Sequence, residues 1–254
     1  MSIQFYKTDA PFTLGVTMRT EQQKEANNMG LHVAKDAQHV INNRKNVAEQ
    51  LGFSLDDFVF ASQTHSANFY EVTDEDKGRG ATSLATAIPQ TDAIFTFSPN
   101  IVLCTLTADC VPVLFYHEER GVVGAIHSGW RGTVQEITYK TIHHLMTERN
   151  CNPSGFHLYI GPALSMEKFE VDRDVAEQFE KLGYVDPFIF YKRETNKYHI
   201  DNQLVVKEQC LRVGVPASQI HLDRTCTFKS KSGFSYREDR ETGRHASLIV
   251  RKQL

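Results

Sequence analysis

The chain has 254 residues, of which 41% are hydrophobic and 23% are charged, and its formal net charge is −3. This length is enough for one large α/β domain or at most two small ones, and the composition is that of an ordinary globular protein. The slightly acidic balance argues against a nucleic-acid binder, which usually carries a basic face. Apolar runs such as residues 122–126 are too short to span a bilayer, and the first residues lack the pattern of a secretion signal. We therefore expect a cytoplasmic protein with neither nucleic acid nor membrane as a partner.

Strand-like and helix-like segments alternate along the whole chain, with no internal repeat or low-complexity linker. Hydrophobic periodicity predicts helices at 33–51, 132–148, 172–182 and 204–213. It predicts strands at 58–60, 68–72, 93–97, 101–106, 111–116, 121–127, 156–160, 188–191, 197–200, 220–225 and 247–250. A loop is predicted at 78–89, which is rich in Gly, Thr, Ser and Ala. Consecutive hairpins favour mixed or antiparallel sheets, so we expect residues 1–254 to form a single α/β (α+β) domain of mixed sheets flanked by helices.

The five cysteines are odd in number and include no Cys-x-x-Cys pair. A disulfide framework is not expected at this size in a cytoplasmic protein, and most of these side chains should be small buried hydrophobes. Cys110 differs, because it lies in the hairpin-like segment 107–132. A turn centred on Glu118 and Glu119 would place Cys110 directly opposite His127, with Cβ atoms about 4.5–5.5 Å apart. A shift of one residue, which Gly121 could allow, would put the two side chains on opposite faces.

A thiolate and an imidazole on one face suit zinc, and three protein ligands with one open position are typical of a catalytic zinc. His65 is the best third ligand, since it follows a strand-like run in the polar setting Gln-Thr-His-Ser. The alternative is a buried cysteine beside a histidine with an ordinary hydrogen bond. Asp109 could orient a ligand histidine or transfer a proton, or could simply cap the end of a strand.

The segment from His127 to Gly132 reads His-Ser-Gly-Trp-Arg-Gly and leads into a predicted helix. Unpaired N–H groups at a helix N-terminus favour an anion such as phosphate. Ser128 could contact that anion, and Arg131 adds a bidentate donor. The two glycines could equally do no more than shape a turn.

Several motifs together resemble one known family: FASQTHS, TADCVPVLFY, GVVGAIHSGWRG, IGPALSMEKFEV, CTF…FSYRED and TGRHASLI, in this order. They are similar to the bacterial laccase-domain family of polyphenol oxidase-like proteins, members of which are also described as purine nucleoside phosphorylases. The resemblance runs from about Gly30 onward. It implies one α/β domain with mixed sheets, similar to the deamidating-toxin or cysteine-hydrolase-like fold.

The resemblance also implies a zinc ion held by the histidine of QxH, the cysteine of ADC and the histidine of HxGWRG, which are His65, Cys110 and His127 here. The implied activities are phosphorolysis of adenosine, inosine and S-methyl-5′-thioadenosine, and deamination of adenosine. Small-molecule purine nucleosides and phosphate are thus the expected partners, while the oligomeric state is not determined by the sequence. The chain has Met166 to Val171 and Phe228-Lys229 where the family often has further cysteines, so the resemblance gives no support for chemistry that needs those thiols.

Phosphorolysis requires a site that holds phosphate near the anomeric carbon and stabilises charge on the leaving base. Ser128 and Arg131 are the first candidates for the phosphate, and Asn43 with Arg44 could provide a second cationic group. Two other enzymes remain compatible with the same residues. One is a copper-dependent polyphenol oxidase, since copper can substitute for zinc at such ligands, although no His-x-His pair occurs. The other is a metal-free cysteine hydrolase with Cys110 as nucleophile and His127 as base. A non-enzymatic binding role is the remaining alternative.

Overall fold

A computed structural model describes residues 2–253. The strands within these residues are β1 (Ile3–Lys7), β2 (Phe12–Thr17), β3 (Phe58–Phe60), β4 (Phe69–Glu71), β5 (Ala93–Thr96), β6 (Val102–Thr107), β7 (Val111–His117), β8 (Val123–Ser128), β9 (Phe156–Ile160), β10 (Glu170–Val171), β11 (Ile189–Lys192), β12 (Lys197–Ile200), β13 (Ile220–Leu222) and β14 (His245–Arg251). The α-helices are α1 (Ala37–Leu51), α2 (Trp130–Val134), α3 (Ile137–Arg149), α4 (Arg173–Glu180) and α5 (Asn202–Arg212). None of the helices in this part of the chain is both long and apolar enough to cross a membrane.

The strands form three sheets, two of which are mixed. One has the order β1-β2-β14-β6-β3, and a larger one has the order β13-β9-β7-β8-β5-β4. A small antiparallel sheet, β10-β12-β11, contains the predicted hairpin. The pairs β3–β6, β4–β5 and β9–β13 are parallel, and the remaining pairs are antiparallel. The predicted fold class, α+β with mixed sheets flanked by helices, is therefore confirmed.

The two large sheets pack face to face, and helices cover their outer faces. Side chains from β2, β6 and β14 meet side chains from β5, β7 and β8 in one buried cluster. On the far side of the six-stranded sheet, a second cluster includes α3 and α5, and α1 packs on the far side of the five-stranded sheet. Because both faces of the central strands are covered, β6 and β7 are nearly continuous apolar runs buried along their whole length.

The β7–β8 hairpin forms where the sequence predicts it, but its register differs. Pro112, and not Cys110, lies opposite His127. The chain reverses later than expected because Gly121 adopts a left-handed φ of +66° and its N–H closes the turn on the His117 carbonyl. The predicted direct pairing of Cys110 with His127 is therefore wrong by two residues. An even shift preserves the alternation of faces along a strand, so Cys110, just before β7, still lies on the side of His127.

The predicted helix 132–148 is divided in two. α2 ends at Val134 and α3 begins at Ile137, with a left-handed φ of +61° at Glu136 between them. The Glu136 carboxylate accepts a hydrogen bond from the Tyr184 hydroxyl at 2.9 Å, a contact across 48 residues that favours the break. The short α2 therefore presents its first turn to the region around His127.

Arg44 on α1 is a fully buried arginine, 1% exposed. Its guanidinium donates to the carbonyl oxygens of Met29, Gly80 and Ala81 at 2.6–2.9 Å and lies 3.8 Å from the centre of the Phe60 ring. Burial lowers the pKa of Arg44 only to about 10, so the group stays charged at neutral pH. The Arg44 side chain thus links α1 by hydrogen bonds to two separate loops, one at Met29 and one at residues 80–81.

Replacing Arg44 with methionine should lower the free energy of unfolding by about 2–4 kcal/mol, because three buried carbonyl oxygens lose a charged donor. Urea denaturation followed by circular dichroism measures this loss. Lys45→Met changes an exposed residue of the same helix and should shift the unfolding free energy by no more than about 0.5 kcal/mol. Equal effects of the two substitutions would show that the buried contacts do not stabilise the fold.

Candidate metal centre

The structure brings His65, Cys110 and His127 together. One ligand atom from each of the three side chains lies within 4.8 Å of the others. Cys110 Sγ is 3.9 Å from His65 Nε2, and the two imidazole ring centres are 4.7 Å apart at an interplanar angle of 79°. Within residues 2–253 this is the one group of three or more His, Cys, Asp or Glu side chains with ligand atoms so close.

The sheet topology explains the meeting of these three residues. His65 lies on the connection from β3 to β4, and Cys110 lies on the connection from β6 to β7. Both connections leave the five-stranded sheet and enter the six-stranded sheet. β3 and β6 are parallel, so their carboxyl ends share one edge. β8 is antiparallel to β7 and therefore delivers His127, near its end, to the point where β7 begins.

Asp92, the residue before β5, was not among the candidates from the sequence and lies directly behind the three side chains. Its buried carboxylate accepts a hydrogen bond from His127 Nδ1 at 2.8 Å. It also accepts the backbone N–H groups of Thr64, His65 and Ser66, at 3.1, 3.0 and 2.8 Å. The sole sequence signal is an acidic residue at the start of a buried strand. Its partners are 26–35 residues away.

The charges of the site favour an anionic sulfur. Burial alone would raise the pKa of the Cys110 thiol, but the nearby His127 and His65 imidazoles lower it to about 6. Burial alone would lower the pKa of His127, but Cys110 and Asp92 raise it to about 9. For Asp92, hydrogen bonds from His127 and Ser66 outweigh burial and hold the pKa well below its usual range. The Cys110 thiolate is thus favoured beside a protonated His127. A metal cation that replaced the proton on His127 would be close to the Cys110 sulfur and to one ring nitrogen each of His65 and His127.

This donor set fits a transition metal of the zinc or copper type. His127 uses Nδ1 for Asp92, which leaves Nε2 for a metal. Gly129 packs so closely on the ligands that a Cβ atom there would lie 2.7 Å from His65 Cδ2 and 3.1 Å from Cys110 Sγ. The protein therefore surrounds the three ligand atoms tightly on the side of α2.

A cavity of about 920 Å³ opens beside the three side chains, which form part of its wall. This volume lies in the range of small-molecule sites, roughly 300–1,000 Å³. The lining includes charged side chains, among them Asp109, Arg131, Asp172, Asp174, Arg237 and Arg244. It also includes apolar side chains, among them Leu84, Leu106, Leu164, Phe169, Val171 and Val175. The cavity thus offers both ionic and apolar contacts next to the candidate metal ligands.

Asp109 lines this cavity with a left-handed φ of +86°. Its carboxylate accepts the Thr227 hydroxyl and the Arg237 backbone N–H, both at 2.6 Å. Burial raises the pKa of Asp109. These bonds anchor the segment that precedes β14 to the cavity wall, whereas the carboxylate that is hydrogen-bonded to a candidate ligand histidine is that of Asp92.

The four residues considered for phosphate occupy different environments. Arg131 is exposed, lines the cavity and places its guanidinium 4.4 Å from the centre of the Trp130 ring. Arg44 also reaches the cavity wall, but most of its N–H groups donate to backbone carbonyls. Ser128 and Asn43 are buried: the Ser128 hydroxyl is 2.9 Å from that of Thr133, and the Asn43 amide donates to two backbone carbonyls. Arg131 is therefore the member of this set that is placed to contact an anion.

These features define an α+β protein with a candidate His–Cys–His metal centre in the wall of a cavity. The chain belongs to the family described as multi-copper polyphenol oxidoreductase laccase, whose family model matches residues 13–252.

Named relatives extend this comparison. The chain is 36% identical over 229 residues to the purine nucleoside phosphorylase YlmD of Geobacillus stearothermophilus, covering 89% of this chain and 84% of the relative. It is 33% identical over 235 residues to the purine nucleoside phosphorylase YlmD of Bacillus subtilis, covering 90% and 83%. The crystal structure of the Bacillus licheniformis hypothetical protein YfiH matches with a TM-score of 0.91 at 34% identity, covering 98% of this chain and 99% of that one.

Proposed function

We propose that this protein is a zinc-dependent purine nucleoside phosphorylase acting on adenosine, inosine and S-methyl-5′-thioadenosine, with adenosine deaminase activity at the same centre. The observation that carries the proposal is the convergence of His65, Cys110 and His127 in the wall of a cavity large enough for a nucleoside. The names of the two YlmD relatives support the phosphorylase activity.

In phosphorolysis, the bond between C1′ and the purine nitrogen breaks with its electron pair on the base, and a phosphate oxygen forms the new bond to C1′. Arg131 is the candidate to bind phosphate, because its guanidinium reaches the cavity from α2 and can donate two parallel hydrogen bonds. Asp109, which lines the cavity directly before Cys110 in the chain, is the candidate to give a proton to the leaving base. A zinc ion held by the three ligands would supply Lewis acidity in the cavity wall, and would activate water for deamination.

Metal analysis of freshly purified protein, together with an adenosine assay with and without phosphate, tests this proposal. We expect one zinc per chain and adenine release that requires phosphate, with inosine and ammonia as the products of the deaminase activity. Oxidation of phenols that depends on copper and vanishes in protein loaded only with zinc would identify copper as an adventitious substitute. A protein without metal and without nucleoside turnover would contradict the proposal and favour the cysteine hydrolase.

Replacing Arg131 with alanine should raise the KM for phosphate by about 10-fold or more, because one charge-assisted contact to an anion is worth roughly 1.5–3 kcal/mol. The unfolding free energy should change little, since the side chain is exposed. Initial rates at varied phosphate concentration measure the effect. Arg193→Ala removes another exposed arginine, in the turn between β11 and β12, and should leave the KM unchanged. An unaltered KM in Arg131→Ala would exclude Arg131 from phosphate binding.

A further inference from the structure

Asp92 contacts two of the three candidate ligands with one carboxylate, although they come from different parts of the fold. Its side chain is fully buried. Oδ1 accepts both His127 Nδ1 and the His65 backbone N–H, at 2.8 and 3.0 Å. Oδ2 accepts the backbone N–H and the hydroxyl of Ser66, at 2.8 and 2.7 Å, and the Thr64 backbone N–H at 3.1 Å. The Asp92 carbonyl also accepts the His127 backbone N–H at 2.7 Å.

The bonds to residues 64–66 hold a strained backbone. His65 has a left-handed φ of +61°, a conformation that is unfavourable for a residue with a Cβ atom. Three successive N–H groups converge on the Asp92 carboxylate and stabilise this conformation. Because this backbone conformation aims the His65 side chain at Cys110, the carboxylate determines where His65 lies.

The bond to His127 determines which ring nitrogen can bind a metal. A carboxylate that accepts from Nδ1–H leaves the lone pair on Nε2 and also fixes the orientation of the ring. Without this acceptor, the His127 ring could rotate or protonate at either nitrogen. The Asp92 carboxylate thus helps to fix the positions of both imidazoles, whose ring centres are 4.7 Å apart.

We propose that Asp92 is a positioning residue that preforms the metal centre by setting His65 and His127 simultaneously. This inference rests on the metal-binding part of the proposed function. It assigns Asp92 no contact with substrate. Loss of the Asp92 carboxylate should therefore weaken metal binding more than it lowers the stability of the fold.

The test compares Asp92→Asn with a matched variant, Asp76→Asn. Asp76 is also buried, and it accepts the Thr73 backbone N–H and the Arg79 guanidinium, outside the cavity lining. For Asp92→Asn we expect the Kd for Zn²⁺, measured by competition with a chromophoric chelator on metal-free protein, to rise about 10–100-fold. The visible absorption spectrum of the Co²⁺-loaded protein should also change, because the geometry of the ligands changes. Asp76→Asn should lose stability but keep both the Kd and the spectrum of the unaltered protein.

A folded Asp92→Asn protein with unaltered Zn²⁺ affinity and Co²⁺ spectrum would overturn the inference while leaving the proposed function intact. Failure of the unaltered protein to bind Zn²⁺ would overturn both. If Asp92→Asn does not fold, Ser66→Ala decides the question, because it removes the hydroxyl bond to Oδ2 and leaves the backbone N–H bonds to Asp92 in place; its one other loss is the acceptor of the Asn68 N–H at 3.2 Å. We expect that variant to bind Zn²⁺ a few-fold more weakly, and an unchanged Kd would contradict the role of Asp92.

Discussion

Cys110→Ala should abolish metal binding and reduce nucleoside turnover by about 10³-fold or more, while the protein still folds. Cys110 supplies the only sulfur of the candidate centre, and its removal leaves two imidazoles, which bind zinc far more weakly than two imidazoles and a thiolate do. The loss in rate corresponds to the several kcal/mol that a metal ion contributes to a charged transition state. The side chain is half-buried and lies outside any strand or helix, so the alanine variant should keep its far-UV circular dichroism spectrum. Metal analysis and phosphate-dependent adenine release measure the two losses.

Cys210→Ala is the matched control, because Cys210 is fully buried on α5 in the core beside the six-stranded sheet. It should lower stability but retain a full complement of metal. Loss of turnover in Cys110→Ala with an unchanged zinc content would mean that the three ligands have been misassigned. Inactivation of the unaltered enzyme by iodoacetamide, together with resistance to chelators, would favour the cysteine hydrolase.

Gly129→Ala should weaken zinc binding and lower kcat/KM, each by about 10–100-fold, although only one methyl group is added. The new Cβ atom would lie 2.7 Å from His65 Cδ2 and 3.1 Å from Cys110 Sγ, so at least one ligand must move. A displacement of about 1 Å at a reacting centre can cost roughly 10²-fold in rate. Gly129 has a φ of −65°, which alanine adopts readily, so the backbone itself is not strained. Titration with Zn²⁺ and steady-state kinetics measure the two effects.

Gly155→Ala is the control that distinguishes an effect on the candidate ligands from a general loss of packing. A Cβ atom at Gly155 would also meet a histidine ring, that of His117, at 2.3 Å, but at the far end of β7 from Cys110. Gly155→Ala should therefore destabilise the fold and leave zinc affinity unchanged. Equal zinc affinity in Gly129→Ala and the unaltered protein would show that the ligands tolerate the methyl group.

Local patterns were enough to predict much of the fold, and together with the family resemblance they predicted all three members of the candidate centre. The strands at 58–60 and 156–160 agree with the structure to the residue, because each is a short apolar run between clear boundaries. Cys110 and His127 could be related from the sequence because they flank one hairpin. The error in their register came from Gly121, whose left-handed conformation belongs to a turn that the pattern of apolar residues does not define.

Features that depend on distant partners had no comparable signal. No strand was predicted at β2, although β2 is entirely buried. It pairs with β14, which lies more than 220 residues away in the chain. Glu136, at the break between α2 and α3, accepts a hydrogen bond from the distant Tyr184, and the hydrogen-bond partners of Asp92 are residues 64–66 and His127. Asn43 and Arg44 read as a polar pair available to a ligand, yet the fold places the loops of residues 28–29 and 80–81 around them. In each case the tertiary structure, and not the local residues, determines the environment.

The two connections that carry His65 and Cys110 both run from the five-stranded sheet to the six-stranded sheet. A metal ion bound to them and to His127 would act as a cross-link between these connections, holding the sheets together at one edge. Because the three side chains come together in the folded structure from separate parts of the chain, such an ion would bind the folded state in preference to the unfolded one, and its binding free energy would add to that of folding. At a free metal concentration of 100 times the Kd, the gain is about 2.7 kcal/mol. The lifetime of the folded chain against heat and proteases would then follow the supply of metal in its surroundings.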